Sequence, residues 1–367
     1  MSTTTDASAS AGALLAALPQ LIERRNLTRD EARAVMEEIL SGSATPAQIG
    51  AFIVALRMKG EIAEEVIGFA QAVRARANPV RPHCQVEEDL SGTERDALVD
   101  TCGTGGDASG TFNISTATAF VVAGCGIRVA KHSNRSISSQ CGSADVVEAL
   151  GINISLTPEG MAACIDEVGI GFLFAPALHS AWKYAQPVRR ELRVRTVFNL
   201  LGPICNPAGA SAQVAGIYDG KLVSLVAQAL AELGSRRAFV VHGEFDGTHG
   251  LDEISTTGAT QIAEVRDGKV RLFTLYPEDA GLPRSKPADL LGGSLEDNVR
   301  ILRDIFDGVP GPKRDIVLLN AAAALIVAGH APDWREAVAQ AAHCLDSGAA
   351  KKKLLALTEF THRKPAA

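Results

Sequence analysis

Four stretches of this chain combine residue types that suit a phosphorylated substrate and a hard metal ion. The first is Thr101-Cys102-Gly103-Thr104-Gly105-Gly106-Asp107, after the apolar strand candidate Leu98-Val99 and ahead of Asn113, Ser115 and Thr116. Glycines let a backbone turn tightly and approach a ligand without a Cβ. The N–H groups of such a loop, with the helix terminus that follows, form an anion cradle. The order is neither GxxxxGK[ST] nor GxGxxG, because position 108 is Ala108. Asp107 would repel a bare phosphate, so it reads as an acceptor for a ligand hydroxyl or amine. The plainer alternative is a structural turn capped locally by Asp107 and Asn113.

The second stretch, Lys131 to Asp145, holds two fixed cations, Lys131 and Arg135, and a series of serines. Such a loop suits several phosphate oxygens. Gly142 and Ser143 then open a helix. Two loops of this kind, each after a strand, point to neighbouring βα connections at the C-terminal edge of one sheet, the usual ligand crevice of an open α/β fold. The third is a basic cluster, His179, Lys183, Arg189, Arg190, Arg193 and Arg195. Arg189 could grip a carboxylate with two hydrogen bonds; an ordinary solvated helix face is the competing reading, and His179 alone reads as structural. The fourth is Asp252-Glu253, whose paired carboxylates suit Mg2+ beside a diphosphate, although adjacent acids are also common on loops.

The elements that must position these groups change character along the chain. Residues 13–78 read as helices, with capping signals at Thr28/Glu31 and Thr45/Gln48 and Pro46 at a first helical position. From about residue 98, short strands alternate with helices, which implies an α/β layered fold with a largely parallel sheet. Strands are expected at Val214–Ile217, Ala238–Val241, Lys269–Phe273 and Ile316–Leu318, and helices at 222–233 and 320–328. The stretch 157–184, opened by Thr157-Pro158-Glu159, reads as helical and is expected to pack with the N-terminal helices.

Composition bounds the partners. The chain has 367 residues, 36 Lys plus Arg against 42 Asp plus Glu, and a formal net charge of -6. That balance argues against a nonspecific nucleic-acid binder. The 7 cysteines are odd in number and lack CxxC spacing, against a disulfide framework or zinc site. No apolar run suits a membrane span. No Lys or Arg precedes Arg24, so a secretory n-region is not expected and a cytoplasmic location is.

Taken together, Gly103-Thr104-Gly105-Gly106-Asp107, Asn113-Ile114-Ser115-Thr116, Lys131-His132-Ser133-Asn134-Arg135, Gly142-Ser143-Ala144-Asp145, Asn199-Leu200-Leu201-Gly202-Pro203, Asn206-Pro207 and Leu251-Asp252-Glu253 resemble, in order, the motifs of the anthranilate phosphoribosyltransferases. The resemblance covers about residues 15–355. It implies the fold shared with the nucleoside phosphorylases: a small helical domain, a larger α/β domain with a mixed, largely parallel central sheet, and a homodimer. Domains are expected at 1–93, with 157–198 adding helices, and at 94–156 with 199–360.

The resemblance also implies the reaction, in which anthranilate displaces diphosphate from 5-phosphoribosyl 1-diphosphate (PRPP) in tryptophan biosynthesis. By it, PRPP would bind at Gly103, Gly106, Asp107, Thr111, Asn113, Ile114, Ser115, Thr116, Lys131, His132, Ser133, Asn134, Arg135, Ser136, Ile137, Ser138, Ser139 and Ser143. Mg2+ would be held near Ser115, Asp252 and Glu253, and anthranilate by Gly103, Asn134 and Arg189. Lys131, Asp107 and Arg189 are the expected catalytic groups. Two features depart from the family pattern: Ser133 stands where glycine is usual, and the run 243–250 is lengthened, which makes Asp246 a rival metal ligand. Within this fold a nucleoside phosphorylase is the alternative; a noncatalytic nucleic-acid-binding relative is the alternative from another class.

Overall fold

Thr28 and Thr45 begin two helices by the same device. Each threonine side chain accepts the N–H three residues on, while the side chain of Glu31 or Gln48 accepts the threonine N–H. The computed structural model describes residues 12–83, 98–135 and 141–363. They fall into two units, one running to Ala77 and resuming over His179–Leu201, the other comprising Asn78–Leu178 and the chain from Gly202 onward.

The first unit is helical: α1 (Ala13–Ile22), α2 (Arg29–Ser41), α3 (Pro46–Lys59) and α4 (Ala63–Arg76), with α9 (Gln186–Leu192) and the start of α10 (Val197–Ile204). Helix α2 packs on α4 and α1 on α3. Phe52 meets Phe69 edge-on, with centroids 5.9 Å apart. Gly68 lets α4 approach the Arg29 carbonyl so closely that any Cβ would strike it. Glu65, fully buried, is matched by Lys59 at 2.9 Å and by the N–H groups of Leu27 and Ile62, as a buried charge requires.

The second unit is built on an eight-stranded sheet: β1 (Val99–Gly103), β2 (Val129–Ser133), β3 (Ile170–Phe174), β4 (Ala212–Gly216), β5 (Arg237–Glu244), β6 (Gly250–Leu251), β7 (Thr260–Arg266) and β8 (Lys269–Leu275). The order is β3-β2-β1-β4-β5-β7-β8, with β6 on β5. Pairing is parallel from β3 to β5 and antiparallel from β5 to β8, so the sheet is mixed and largely parallel. Helix α5 (Ile114–Gly124) joins β1 to β2. Helices α6 (Ser143–Ala149) and α7 (Pro158–Ala163) lie between β2 and β3, and α8 (Ala175–Leu178) follows β3. Helix α11 (Val223–Glu232) joins β4 to β5, and α12 (Leu295–Phe306), α13 (Pro312–Val327), α14 (Trp334–Asp346) and α15 (Ala349–His362) complete the unit. Helices α13, α14 and α15 all pack on α5. Phe120 of α5 anchors that core against Phe172 and Phe306, at 5.6 and 5.4 Å.

Three expectations are corrected. Ile316–Leu318 lies inside α13, where Pro312 at the helix start and the buried run Ala321–Ala324 carry the helix through. A short apolar run is ambiguous between a strand and a buried helix. Ile170–Phe174 is a strand, not helix, and belongs with Asn78–Leu178 in the sheet unit; only from His179 does the chain join the helical unit. Left-handed Gly169 stops the preceding helix, and Gly171 packs against Met161 and Ile165. Thr260–Arg266 is a strand where none was expected; Gln261 on one face and Glu264 on the other break up its apolar positions.

Candidate active site

The first glycine loop leaves β1 at Gly103 and reaches α5 at Ile114. Gly105, Gly106 and Gly110 take positive φ, and so does Ala108 at 63°; tight turning is therefore what Gly105 and Gly106 supply. Gly103 serves another purpose. A Cβ there would run into the Asp252 carboxylate, and one at Gly216 into the Asp252 backbone. Two glycines on adjacent strands thus make the slot that holds Asp252.

Asp252 and Glu253 close onto the loop. Asp252 Oδ2 accepts the Gly105 N–H at 2.7 Å, and Glu253 Oε1 accepts the Ser115 N–H at 3.1 Å in the first turn of α5. Carboxylates therefore meet N–H groups that the sequence had offered to phosphate, a placement favoured by the helix dipole. Asp107 accepts from Ser109 N at 3.1 Å and Ser109 Oγ at 2.9 Å in its own loop, and from Asp252 N at 3.3 Å across to the acidic pair.

Lys131, in the middle of β2, is 2% exposed. Its ammonium donates to the Thr101 carbonyl and, at 3.0 Å, to Ser115 Oγ. Burial drives the Asp252 carboxyl well above the ordinary range, and the neighbouring Asp107 and Glu253 push it further. Burial also lifts Glu253 to about 7, against the pull of Lys131. Three crowded acids, with Lys131 acting on Glu253, form a site short of positive charge. Their hard oxygens and the Ser115 hydroxyl fit Mg2+, although among the described residues they form no ready-made cage of three acidic ligands. Such an arrangement suits an ion that completes its shell with water and phosphate.

The remaining predicted residues divide. Ile114 and Thr116 are buried in α5, and the Ile114 N–H donates to the Phe112 carbonyl at 2.8 Å. Asn113 caps α5 in position but not by its side chain; its amide donates to the Cys141 carbonyl, and its buried Oδ1 has no partner among the described residues. Thr111 forms an isolated bridge to Leu291. His132 is buried with Nδ1 3.0 Å from the Gly202 carbonyl. Ser133, the departure from glycine, is accommodated inside β2, where its hydroxyl points to the Leu173 carbonyl at 3.5 Å.

Asn134 is exposed; its carbonyl accepts the Ser143 hydroxyl at 3.2 Å. Arg135 is tied to α6 through Asp145 and Glu148 at 2.5 and 2.6 Å. Ser136, Ile137, Ser138 and Ser139 lie outside the described residues. Asp246, the rival metal ligand, spends its oxygens on Thr248 and His249 in its own exposed turn, which holds its carboxyl below the usual range.

In the helical unit the basic cluster separates. Lys183, Arg190 and Arg193 are exposed, as on a solvated face. His179 is buried beside the Trp182 ring. Arg189 differs: its guanidinium lies over Phe198 at 5.2 Å and Trp182 at 5.7 Å and bonds Gln186 at 3.3 Å. Among the described residues no acid pairs with it, and burial lowers it to about 10.

Sequence reasoning missed Asp100 and Gln213, buried polar groups inside strands, and named Asn206 only within the Asn206-Pro207 motif, with no site role. Strand interiors read as apolar runs, so nothing in their spacing marked them.

Two family models match: "Glycosyl transferase family, helical bundle domain" over residues 12–77 and "Glycosyl transferase family, a/b domain" over 95–351. The chain is 54% identical over 345 residues to the anthranilate phosphoribosyltransferase of Anaeromyxobacter sp. (strain K), covering 94% of this chain and 98% of that protein. The crystal structure of anthranilate phosphoribosyltransferase from Thermus thermophilus superposes with a TM-score of 0.86 at 40% identity, covering 95% of this chain and 99% of that one. That of the Saccharomyces cerevisiae enzyme in complex with PRPP and Mg superposes at 0.83 and 25% identity, covering 95% and 97%. With its helical-bundle and a/b domains matched and its relatives alike over nearly their whole length, this chain belongs to the glycosyl transferase family and, within it, to the anthranilate phosphoribosyltransferases.

Proposed function

We propose that the chain transfers the phosphoribosyl group of PRPP to anthranilate, giving N-(5-phosphoribosyl)anthranilate and diphosphate in tryptophan biosynthesis. The observation that carries this is that Glu253 and buried Lys131 meet at Ser115 in the first turn of α5 while Asp252, its backbone held by Asp107, closes on the glycine loop at Gly105, after the end of parallel strand β1. Family membership supplies the substrates.

In the reaction the C1–O bond to diphosphate breaks, the anthranilate nitrogen bonds C1, and the proton the amine loses passes to the departing diphosphate or to water. Charge builds on the leaving diphosphate while C1 becomes oxocarbenium-like. Bound Mg2+, held by Asp252, Glu253 and Ser115, would neutralise part of that charge. Lys131 supplies a desolvated cation beside it, where electrostatic stabilisation is worth more than in water. Asp107 holds the Asp252 backbone, and the glycine loop lines the site with N–H groups. Arg189 reads the anthranilate carboxylate with a guanidinium oriented by two aromatic rings. Alignment and charge neutralisation do the work; no covalent enzyme intermediate is required.

A homodimer in the cytoplasm is the proposed state. Leu15 and Ile22 on α1, and Val54 and Met58 on α3, are exposed apolar side chains on two helices that pack on each other. Among the described residues no helix is long and apolar enough to cross a membrane.

Anthranilate fluorescence followed with PRPP and Mg2+ tests the activity. It should decay only when both are present. A stable signal, together with phosphorolysis of thymidine by inorganic phosphate, would transfer the chain to the phosphorylase alternative. Salt-sensitive DNA binding without turnover would favour the noncatalytic one.

A further inference from the structure

Strands β1 and β2 are neighbours, yet their ladder stops after one position, Val99↔Val129. On its other side β1 pairs with β4 from Val99↔Ala212 through Gly103↔Gly216, and β2 pairs with β3 from Val129↔Ile170 through Ser133↔Phe174. In a parallel ladder the next rung would join the Thr101 backbone to the Ala130 carbonyl and the His132 N–H. Two side chains take that rung. Asn206 Nδ2 donates to the Ala130 carbonyl at 2.8 Å, and Asp100 Oδ1 accepts the His132 N–H at 3.1 Å. They also bind each other, Asn206 Nδ2 to Asp100 Oδ2 at 2.7 Å. The amide is held in turn, because its Oδ1 accepts the Ala208 N–H at 2.9 Å.

The residue between Ala130 and His132 is Lys131. With the rung transferred to side chains, the Thr101 carbonyl is released from the ladder, and it accepts the Lys131 ammonium, which also reaches Ser115. A regular rung would give that carbonyl to the His132 N–H instead. Asp100 is fully buried, and Cys102 and Gln213 extend the network around it.

We propose that Asn206 and Asp100 are positioning residues: together they replace one rung of the β1–β2 ladder and thereby set the Lys131 ammonium beside Ser115 at the reacting centre. The inference rests on the transferase reading and names residues that act on substrate only through Lys131.

The test is a double-mutant cycle of Asn206→Asp and Lys131→Met, read as kcat and both KM values, with thermal unfolding alongside. Asn206→Asp keeps the shape but turns a donor into an acceptor facing Asp100 and the Ala130 carbonyl. It should lower kcat by about 10- to 100-fold, the scale set by roughly 1 Å of misplacement, and leave the KM for anthranilate unchanged. In the Lys131→Met background the same change should cost less than about threefold, as coupled sites require. Losses that multiply independently, or a variant that melts earlier but turns over normally, would overturn the proposal. If Asn206→Asp does not fold, Asn206→Ala replaces it in the cycle; failure of both to fold would make Asn206 a residue of the fold alone and also overturn it. A wild-type protein without transferase activity would instead strike the functional reading.

Discussion

Asp252 Oδ2 accepts the Gly105 N–H at 2.7 Å, joining two loops that stand 147 positions apart in sequence. The glycine loop is therefore held by an acid of a distant segment. Gly103 and Gly216 make room for that acid, and Asp107 fixes its backbone. Loop and acidic pair form one unit, and changes to either are expected to be felt by both.

Metal dependence should follow from this. Asp252→Ala and Glu253→Ala should each raise the Mg2+ concentration needed for half-maximal turnover by about 10- to 100-fold, the scale seen when groups around a metal are lost. Asp246→Ala should leave it unchanged, since Asp246 is satisfied within its own turn. Turnover across a Mg2+ titration after chelation decides. The reverse pattern would move the site to Asp246.

Arg189→Ala should weaken use of anthranilate by about 2–3 kcal/mol, the scale for a lost hydrogen-bond partner of a charged group. PRPP affinity should barely change. Aniline, lacking the carboxylate, should be a poor substrate for the wild type and little worse for the variant. Values of kcat/KM for both amines with both proteins provide the check; equal losses would mean that Arg189 supports the fold or the transition state and does not read the carboxylate.

Gly216→Ala should destabilise the protein by at least the ~1–3 kcal/mol typical of overpacking, because its Cβ meets the Asp252 backbone. Gly105→Ala meets no neighbouring atom and should cost only the backbone strain of a positive φ of 68°, about 1–2 kcal/mol. Urea unfolding of the two variants should rank Gly216→Ala below Gly105→Ala, and Gly216→Ala should also need more Mg2+. An inverted stability order would remove Asp252 from its slot.

His132 gives a pH dependence. Burial holds its imidazole below the ordinary 6.5, with Asp100 opposing. The folded state then binds fewer protons than the unfolded state, so this group's stability contribution is present above pH 6.5 and falls as pH drops through and below that value. Melting temperature measured from pH 8 to pH 5 should fall more steeply for wild type than for His132→Gln. Parallel slopes would contradict the assignment.

Much of this protein was legible in its residues. Thr28 and Thr45 announce their helices because capping is a contact between residues three apart, and local contacts are written in local spacing. The positive φ at Gly105 and Gly106 and the nearness of two βα loops follow from motif order for the same reason. What spacing could not supply were relationships between distant segments. Ile170–Phe174 is a strand because β2 offers it a parallel partner and both its faces are covered; as a bare apolar run it has no period to distinguish it. The slot for Asp252 is made by glycines on two strands. The single rung between β1 and β2 is invisible in sequence, since a ladder is a property of two chains of backbone. Only when the sheet closes do Asp100 and Asn206, separated by 106 positions, occupy the places of a carbonyl and an N–H and leave Lys131 held at the site.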